Sequence, residues 1–434
     1  MGIAREILKY CRKPGLILPR LETQVSSPLC SFLARAWVWL AGQDRLRKGR
    51  KILLFGAFGG RAYGDNAAAF FEHVLPRYPE LECYWVIRKD VWMEEVKKAN
   101  LSLPDSRVAL KDSFRANVLA LLADVLVYSH GRFDVTDYPK GKLPNTVELM
   151  LNHGIIGLKR TRMKPLGQGK SVVEHAGSAD FVVSSSEREA RIKVEEWGIP
   201  AEKILLTGLP RFDRLQELKE KVRPSGDRIL YMPTWRDWDT RKVSLRNTAL
   251  FGQMRSFLVD SGLSGFLREK GVVLQLSVHQ RMREFFEDFA REFSLENIEV
   301  LDQDIDLQET ILRSSLLVTD YSSVCWDFLF LGKPVLFFQF DLENYLELTG
   351  AYLDLRKDLF GPVARNAEEA FSWVRRLVET GFSMEAFNGQ MERMSGFAFA
   401  YRDGKNCERL ARELFRRIPC LAGDAARIDP SRGL

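Results

Sequence analysis

The sequence predicts an α/β fold made of two Rossmann-like halves, and three observations support this prediction. From Lys51 onward, short apolar runs alternate with amphipathic segments of helical spacing, which is typical of parallel sheets covered by helices. A polar stretch with proline and glycine, 219–227, separates two such series and indicates a linker. Small polar clusters follow several apolar runs, as expected where a ligand binds at the carboxyl ends of parallel strands.

Six segments make up the predicted organisation of the 434 residues. They are a basic helical segment 1–49, an N-terminal Rossmann-like domain 50–218, the linker 219–227, a C-terminal Rossmann-like domain 228–385, closing helices 386–420 and a flexible tail 421–434. Strands of the N-terminal domain are predicted at 51–57, 82–88, 124–128, 146–151, 180–184 and 203–207. Strands of the C-terminal domain are predicted at 228–232, 271–277, 298–301, 315–319 and 334–339, with helices near 366–380 and 406–417.

The composition argues against several functional classes. The net charge is only +6, from 64 Lys and Arg against 58 Asp and Glu, which does not resemble a nucleic-acid binder. Six scattered cysteines form no CxxC pair, so disulfides and a structural zinc are not expected and a reducing, cytoplasmic setting is favoured. No Walker A loop or GxGxxG is present and no DxD-like metal pair precedes a strand-end cleft, so neither a cofactor nor a metal is predicted. The acidic run 302–306 is interpreted as a solvated loop.

The segment from Leu29 to Gly42 is the most apolar part of the N-terminal region. It is too short for a membrane span, and Arg35 interrupts it. It contains two tryptophans and is flanked by Arg and Lys, a pattern that favours an interfacial helix on an anionic membrane. The alternative is a helix that packs against a domain and whose basic neighbours are solvated.

The strongest local pattern runs from Leu316 to Asp327, where an apolar strand meets small polar residues and then a helical spacing. This pattern predicts a strand, a tight turn and a helix that begins at Ser322 or Ser323. Hydroxyls and backbone N–H groups at a helix start bind phosphate, although an ordinary serine N-cap is the competing interpretation. Asp320 in the turn would orient a ligand hydroxyl or cap the helix.

Two further strand ends carry polar side chains. A strand ends at Pro233, and Thr234 and Arg236 lie in the loop after it. The planar guanidinium of Arg236 can bind a phosphate, or it can form an ion pair with a nearby aspartate. Another strand delivers His279 near its carboxyl end. We expect Arg236, His279 and the 319–323 turn to converge on one crevice.

At this point the chain resembles the CDP-glycerol:poly(glycerophosphate) glycerophosphotransferases, the teichoic acid primase and polymerase type. The resemblance covers roughly residues 50–385. Its motifs here are the loops and turns at 55–66 (FGAFGGRAYGDN), 152–159 (NHGIIGLK), 207–213 (TGLPRFD), 233–236 (PTWR), 278–280 (VHQ), 319–323 (TDYSS) and 341–345 (DLENY). The chain departs from the family motifs at two places, and both could change the shape of the acceptor or nucleotide pocket. Gln280 stands where the family usually has proline, and 154–158 reads GIIGL where the family has GTPL.

The resemblance implies a GT-B-like architecture, with the two Rossmann-like domains facing a central cleft. The N-terminal helical segment, whose pattern favours membrane association, precedes them. It implies transfer of an alditol phosphate from CDP-glycerol or another CDP-alditol to a lipid-linked or polymeric acceptor, with release of CMP. His153 and His279 would be catalytic, with His153 as the base, although their roles could be exchanged. The donor phosphate and nucleotide would contact Thr234, Arg236, Thr319, Asp320, Ser322 and Ser323. The acceptor would contact Asp65, Asn66 and Lys159.

Other functions remain open from sequence alone. The same fold suits a GT-B glycosyltransferase that uses a nucleotide sugar, a CDP-ribitol transferase, or a scaffold without activity. The implied location is peripheral, at the cytoplasmic face of the membrane. Of the remaining histidines, His130 follows a strand and could line the cleft, whereas His73 and His175 are interpreted as structural.

Overall fold

The structure is a computed structural model. It describes residues 27–97, 105–143, 145–161, 164–167, 170–172, 176–222, 226–236, 245–278, 295–302 and 305–421, together with the five residues Met282, Phe286, Phe289, Glu292 and Phe293.

A parallel sheet of seven strands forms the first half of the described chain, in the order β3-β2-β1-β4-β5-β8-β9. Its strands are β1 (Lys51–Gly56), β2 (Leu81–Ile87), β3 (Val108–Leu110), β4 (Val125–Tyr128), β5 (Val147–Met150), β8 (Phe181–Ser184) and β9 (Ile204–Leu206). The antiparallel hairpin of β6 (Lys164–Gly167) and β7 (Lys170–Val172) is a separate two-stranded sheet.

A parallel sheet of six strands forms the second half, in the order β12-β11-β10-β13-β14-β15. Its strands are β10 (Arg228–Met232), β11 (Val273–Leu276), β12 (Ile298–Val300), β13 (Leu316–Thr319), β14 (Val335–Phe338) and β15 (Val363–Ala364). Both sheets are covered by helices, so their central strands are buried on both faces and read as unbroken apolar runs. The predicted α/β fold with parallel sheets is therefore confirmed.

The helices alternate with the strands. Those of the first half are α1 (Ser27–Ala41), α2 (Gln43–Arg47), α3 (Asp65–Arg77), α4 (Lys89–Lys97), α5 (Phe114–Leu122), α6 (Glu187–Glu195) and α7 (Arg211–Lys221). Those of the second half are α8 (Ala249–Arg255), α9 (Leu263–Lys270), α10 (Leu307–Arg313), α11 (Cys325–Leu331), α12 (Leu342–Leu348), α13 (Ala367–Glu379), α14 (Asn388–Ala398) and α15 (Asn406–Arg417).

The predicted strands are all present, with ends within two residues of those observed. The sequence did not predict β3, β15 or the β6–β7 hairpin, which have only two to four residues per strand. Such short runs give too few positions for a periodic pattern. The predicted linker 219–227 also begins inside α7, which continues to Lys221.

The last helices return to the N-terminal sheet rather than closing the C-terminal one. Helix α15 packs against α3 and α7. The carboxylate of Asp213 on α7 accepts the backbone N–H groups of Asn406 and Cys407, at 2.9 and 2.7 Å, and so caps the start of α15. The chain therefore returns to the first half at its last helix.

Helix α1 packs on α5 through Cys30, Ala34 and Val38, which are buried. Its opposite face leaves large apolar side chains exposed. Within the described ranges, every helix is too short or too polar to cross a bilayer. The part of the predicted basic segment before residue 27 lies outside the described residues.

Candidate functional site

A cleft of about 1830 Å³ lies where the carboxyl ends of the two sheets face each other. This is the position at which doubly wound sheets bind their ligands. The first half lines the cleft with loops that follow β1, β4 and β5, and the second half lines it with the last residue of β10 and with residues after β11 and β13. Among the side chains that face it are Asp65, His130, His153, Arg211, Ser323 and Asp327.

The loop after β5 brings His153 to the boundary between the two halves. Asn152 adopts a positive φ of 62°, which turns the chain sharply and leaves the His153 side chain open to the cleft. The next residue, Gly154, touches the facing turn so closely that a Cβ there would lie 2.8 Å from the hydroxyl of Ser323. Gly157 approaches Trp326 in the same way, because a Cβ at position 157 would lie 2.9 Å from Cζ2 of the indole ring. The two glycines let the histidine loop lie directly against the second half.

The ring of His153 stacks on the ring of His130, with centroids 4.8 Å apart and planes 7° apart. Enclosure by the cleft walls and the neighbouring His130, Arg211 and Lys159 lower the pKa of His153 below its ordinary value. A neutral imidazole that faces a cleft at neutral pH can accept a proton from a hydroxyl.

Arg211 joins the two halves at the floor of the cleft. Its guanidinium donates to Asp327 of α11 at 2.8 Å and to the backbone carbonyl of His153 at 2.6 Å, and lies 3.6 Å from Asp65 of α3. Burial raises the pKa of Asp327 to about 6, against the opposing charge of Arg211. Burial likewise raises the pKa of Asp65. One arginine therefore holds two buried carboxylates and the histidine loop together.

The three predicted acceptor residues lie in different settings. Asp65 faces the cleft, with a positive φ of 62°. Asn66 is fully buried, donates to the carbonyl of Asn152 at 2.7 Å and accepts the N–H of Arg211 at 3.0 Å. This geometry corrects its assignment as an acceptor contact, because both ends of its amide hold neighbouring loops. Lys159 is exposed on the His153 loop.

The predicted turn after β13 is present, but the helix begins later than expected. Helix α11 starts at Cys325, and Ser322 and Ser323 form the preceding turn, whose carbonyls accept the N–H groups of Cys325 and Trp326. Ser323 faces the cleft. The hydroxyl of Ser322 accepts the N–H of Val324 at 3.4 Å.

Asp320 and Thr319 hold this turn to the loop after β10. Asp320 is buried and accepts the backbone N–H and the hydroxyl of Thr234, the latter at 2.6 Å. The hydroxyl of Thr319 donates to the carbonyl of Met232 at 2.6 Å. These contacts show that Asp320 and Thr319 tie strand ends together, and they place Thr234 beside the turn rather than in open solvent.

Arg236 is fully buried rather than open to the cleft. Its guanidinium lies 2.8 Å from Asp320 and forms a two-pronged pair with Asp341, at 2.8 and 3.1 Å. The guanidinium carbon Cζ of Arg236 also lies 4.9 Å from the ring centroid of Tyr321, and the Tyr321 ring stacks on Tyr345. The expected phosphate clamp is therefore occupied by two carboxylates. This arrangement is typical of a residue that fixes loops.

His279 lies outside the described residues. Ser277 and Val278, directly before it, line the cleft, so β11 ends at this site. Asp306 of the acidic run caps α10 and pairs with Arg214 at 2.8 Å. Across the described ranges, no three His, Cys, Asp or Glu side chains come together as metal ligands would.

The sequence identifies His130 as a residue that could line the cleft, but it identifies neither Arg211 nor Asp327 as a site residue. Arg211 belongs to a motif interpreted as a turn, and Asp327 to the helix predicted after the 319–323 turn. The available signal was position, because each follows a strand end or begins a helix at the same edge. Arg211 and Asp327 lie 116 positions apart in sequence, so neither residue indicates the other.

Comparison with known proteins gives one family for most of the chain. The family model described as CDP-Glycerol:Poly(glycerophosphate) glycerophosphotransferase matches residues 41–416. A teichoic acid glycerol-phosphate transferase of Staphylococcus aureus is 26% identical over 85% of this chain and 93% of its own length. A teichoic acid poly(glycerol phosphate) polymerase of Bacillus subtilis is 25% identical over 86% of this chain. The chain spans about half the length of that polymerase.

A solved structure of the wall teichoic acid polymerase TagF has the same fold. It superposes with a TM-score of 0.65 at 19% identity and covers 91% of this chain and 99% of that one. At this level of identity the likeness supports the GT-B-like architecture and carries no residue roles.

Proposed function

The chain belongs to the CDP-glycerol:poly(glycerophosphate) glycerophosphotransferase family, and we propose that it transfers glycerol phosphate from CDP-glycerol to a hydroxyl of an acceptor. CMP is the leaving group. The acceptor is a polymeric or lipid-linked chain that ends in a hydroxyl. The observation that carries this proposal is the contact of the His153 loop with the Ser323 turn, which sets a proton acceptor of one half against a phosphate turn of the other.

The reaction needs a base, a held phosphate and a stabilised leaving group. His153 accepts the proton of the acceptor hydroxyl, and the oxygen attacks the phosphorus that carries the glycerol. The bond from this phosphorus to the bridging oxygen breaks, and CMP leaves with the electron pair. The hydroxyls of Ser322 and Ser323 and the backbone N–H groups of the turn stabilise the negative charge on the phosphate. We propose that His279, which follows β11 in sequence, stabilises the same negative charge.

The other donor-side residues act mainly through these groups. Asp320 and Arg236 fix the Thr234 loop to the Ser322 turn, so that the donor meets a preformed surface. Thr319 has the same role through Met232. On the acceptor side, Asp65 faces the cleft beside His130, and Lys159 is exposed on the His153 loop; both are candidates for a contact with the acceptor.

Release of CMP tests the proposal directly. The purified chain is incubated with CDP-glycerol, CDP-ribitol or a UDP-sugar, each with a lipid-linked glycerol phosphate oligomer, beside a His153→Asn sample. Release of CMP from CDP-glycerol that requires acceptor and is lost in the variant supports the proposal. Release of CMP from CDP-ribitol but not from CDP-glycerol would show that the chain transfers ribitol phosphate instead. Release of UDP instead of CMP would make the chain a glycosyltransferase and overturn the proposal.

We also propose that the chain docks peripherally on an anionic membrane through α1. The face of α1 opposite to α5 carries four exposed apolar side chains at helical spacing. They are Leu29 (47% exposed), Phe32 (59%), Trp39 (82%) and Leu40 (73%). The exposed cations Arg35, Arg45 and Lys48 lie on or just after this helix, as expected of an interfacial helix.

Sedimentation with vesicles tests the docking. We expect the full chain to bind vesicles that contain phosphatidylglycerol, and a Trp39→Ser/Leu40→Ser variant to bind at least about tenfold more weakly, because the two side chains no longer enter the interface. Met93→Ser on α4 is the matched control, since Met93 is also exposed but lies on a different helix. Equal binding of all three proteins would contradict the docking.

A further inference from the structure

The cleft contains a second imidazole, His130, that the proposed reaction does not use. Its side chain is 22% exposed, in the segment that follows β4. The rings of His130 and His153 lie in almost parallel planes, with centroids 4.8 Å apart. Neither ring can donate a hydrogen bond to the other in this arrangement, because N–H groups point along the ring plane. A proton does not pass directly between them, so His130 acts on His153 through packing and charge.

A buried carboxylate holds His130 in this position. Asp134 accepts the backbone N–H groups of His130 at 2.8 Å and of Gly59 at 2.7 Å. Its Oδ2 also lies 3.4 Å from Nδ1 of the His130 ring. The backbone N–H of Phe58 donates to the same ring nitrogen at 3.4 Å, and the Phe58 ring packs on His130 with centroids 4.6 Å apart. These contacts fix the plane of the ring and set a buried carboxylate beside it.

The charged groups that face His130 favour its protonated form. They are Asp134 from its own segment and Asp65 from α3, and the other titratable ring in contact is His153. Burial opposes the charge of His130, but the hydrogen bond with Asp134 and the two carboxylates outweigh it and raise the pKa of His130.

The groups that face His153 have the opposite effect. The largest effect is that of burial in the cleft, which disfavours the charged ring and lowers the pKa of His153. His130, Arg211 of α7 and Lys159 of the same loop lower it further. Asp134 alone acts in the other direction. The pKa values of the two stacked rings are therefore shifted in opposite directions although the rings share one pocket.

We propose that the His130–Asp134 pair positions His153: the stacked ring fixes the plane of His153, and the charge of His130 keeps His153 in its neutral, proton-accepting form. This inference rests on the proposed function, in which His153 is the base. His130 is a positioning residue, because it acts through His153 rather than on the substrates.

The pH profile of CMP release separates this role from a merely structural one. His130→Phe keeps a flat ring for stacking but removes the charge, and Asp134→Asn removes the carboxylate that supports the charge. In both variants we expect the acid limb of kcat/KM to move up by about one pH unit, since a nearby positive charge no longer opposes protonation of His153. His73→Gln on α3 is the control, because His73 does not face the cleft.

An acid limb that stays at the wild-type pH in both variants overturns the inference. NMR titration of histidine-labelled protein, with His153 assigned through His153→Asn, decides the matter even where a variant is inactive. We expect His153 to titrate at higher pH in His130→Phe than in wild type, and equal titration is contrary to the inference. If wild type releases no CMP from any CDP-alditol, the proposed function fails, and the NMR titration still tests the pair.

Discussion

His153 shows how a single residue depends on its surroundings. Because its pKa is lowered, the ring is neutral at pH 7 and can take a proton. We therefore expect His153→Asn to lower kcat for CMP release by about 10²- to 10⁴-fold, the usual worth of general base catalysis. The affinity for CDP-glycerol, measured by calorimetry, should change only a few-fold, since the asparagine does not alter the donor turn.

Arg160→Gln is the matched control for His153, because Arg160 lies exposed just after the same loop, where it pairs with Glu196. Its loss should leave kcat within about tenfold of wild type, as expected for a group that acts only by its distant charge. A His153→Asn protein that keeps the wild-type kcat would exclude His153 as the base.

Arg236 provides a second prediction for a single residue. Its removal in Arg236→Met leaves Asp320 and Asp341 buried without their cation, so we expect a loss of about 3–5 kcal/mol in the free energy of unfolding. Denaturant unfolding measures this loss. Arg246→Met, which breaks an exposed pair with Glu292, should cost less than about 1 kcal/mol. A stable Arg236→Met protein with weakened CDP-glycerol binding would instead identify Arg236 as a phosphate clamp.

The loop that carries His153 is the element on which the site depends. A Cβ at position 154 would lie 2.8 Å from the hydroxyl and 3.2 Å from the Cβ of Ser323. We expect Gly154→Ala to displace the Ser323 turn and to lower kcat/KM for CDP-glycerol at least about tenfold, because misplaced phosphate donors lose transition-state contacts. Gly252→Ala in α8 has open space around it and should leave kcat/KM unchanged. Wild-type kinetics for Gly154→Ala would contradict this close approach.

The elements were largely predictable because buried parallel strands are continuous apolar runs that end at turn residues. The two-residue β15 and three-residue β3 gave no such signal. The start of α11 was misplaced because serines are common both in turns and at helix caps. Only the carbonyls of Ser322 and Ser323, which close tight turns before Cys325, distinguish the two.

At the scale of the whole molecule, the assembly of the candidate site from the two halves was predictable only in part. Strand ends brought His153, Ser323 and Asp65 to the cleft, as the topology of parallel sheets requires. The partners of Arg236 and Arg211 were not predictable, because Asp341 and Asp327 lie 105 and 116 residues away. Whether an arginine meets a phosphate or a carboxylate depends on packing between elements, which local sequence does not record.

Arg211 links both halves of the molecule, so its loss should depend on pH. In Arg211→Met the carboxylates of Asp65 and Asp327 lose their cation, and we expect a loss of about 3–5 kcal/mol at pH 7.5. Their folded-state pKa values lie above the unfolded ones, so the folded protein binds more protons and stability falls as pH rises from about 4 through 6. Denaturant unfolding should therefore show a smaller loss at pH 5, and Asp327→Asn in the same protein should reduce this dependence. An equal loss at both pH values would mean that packing, not charge, joins the halves.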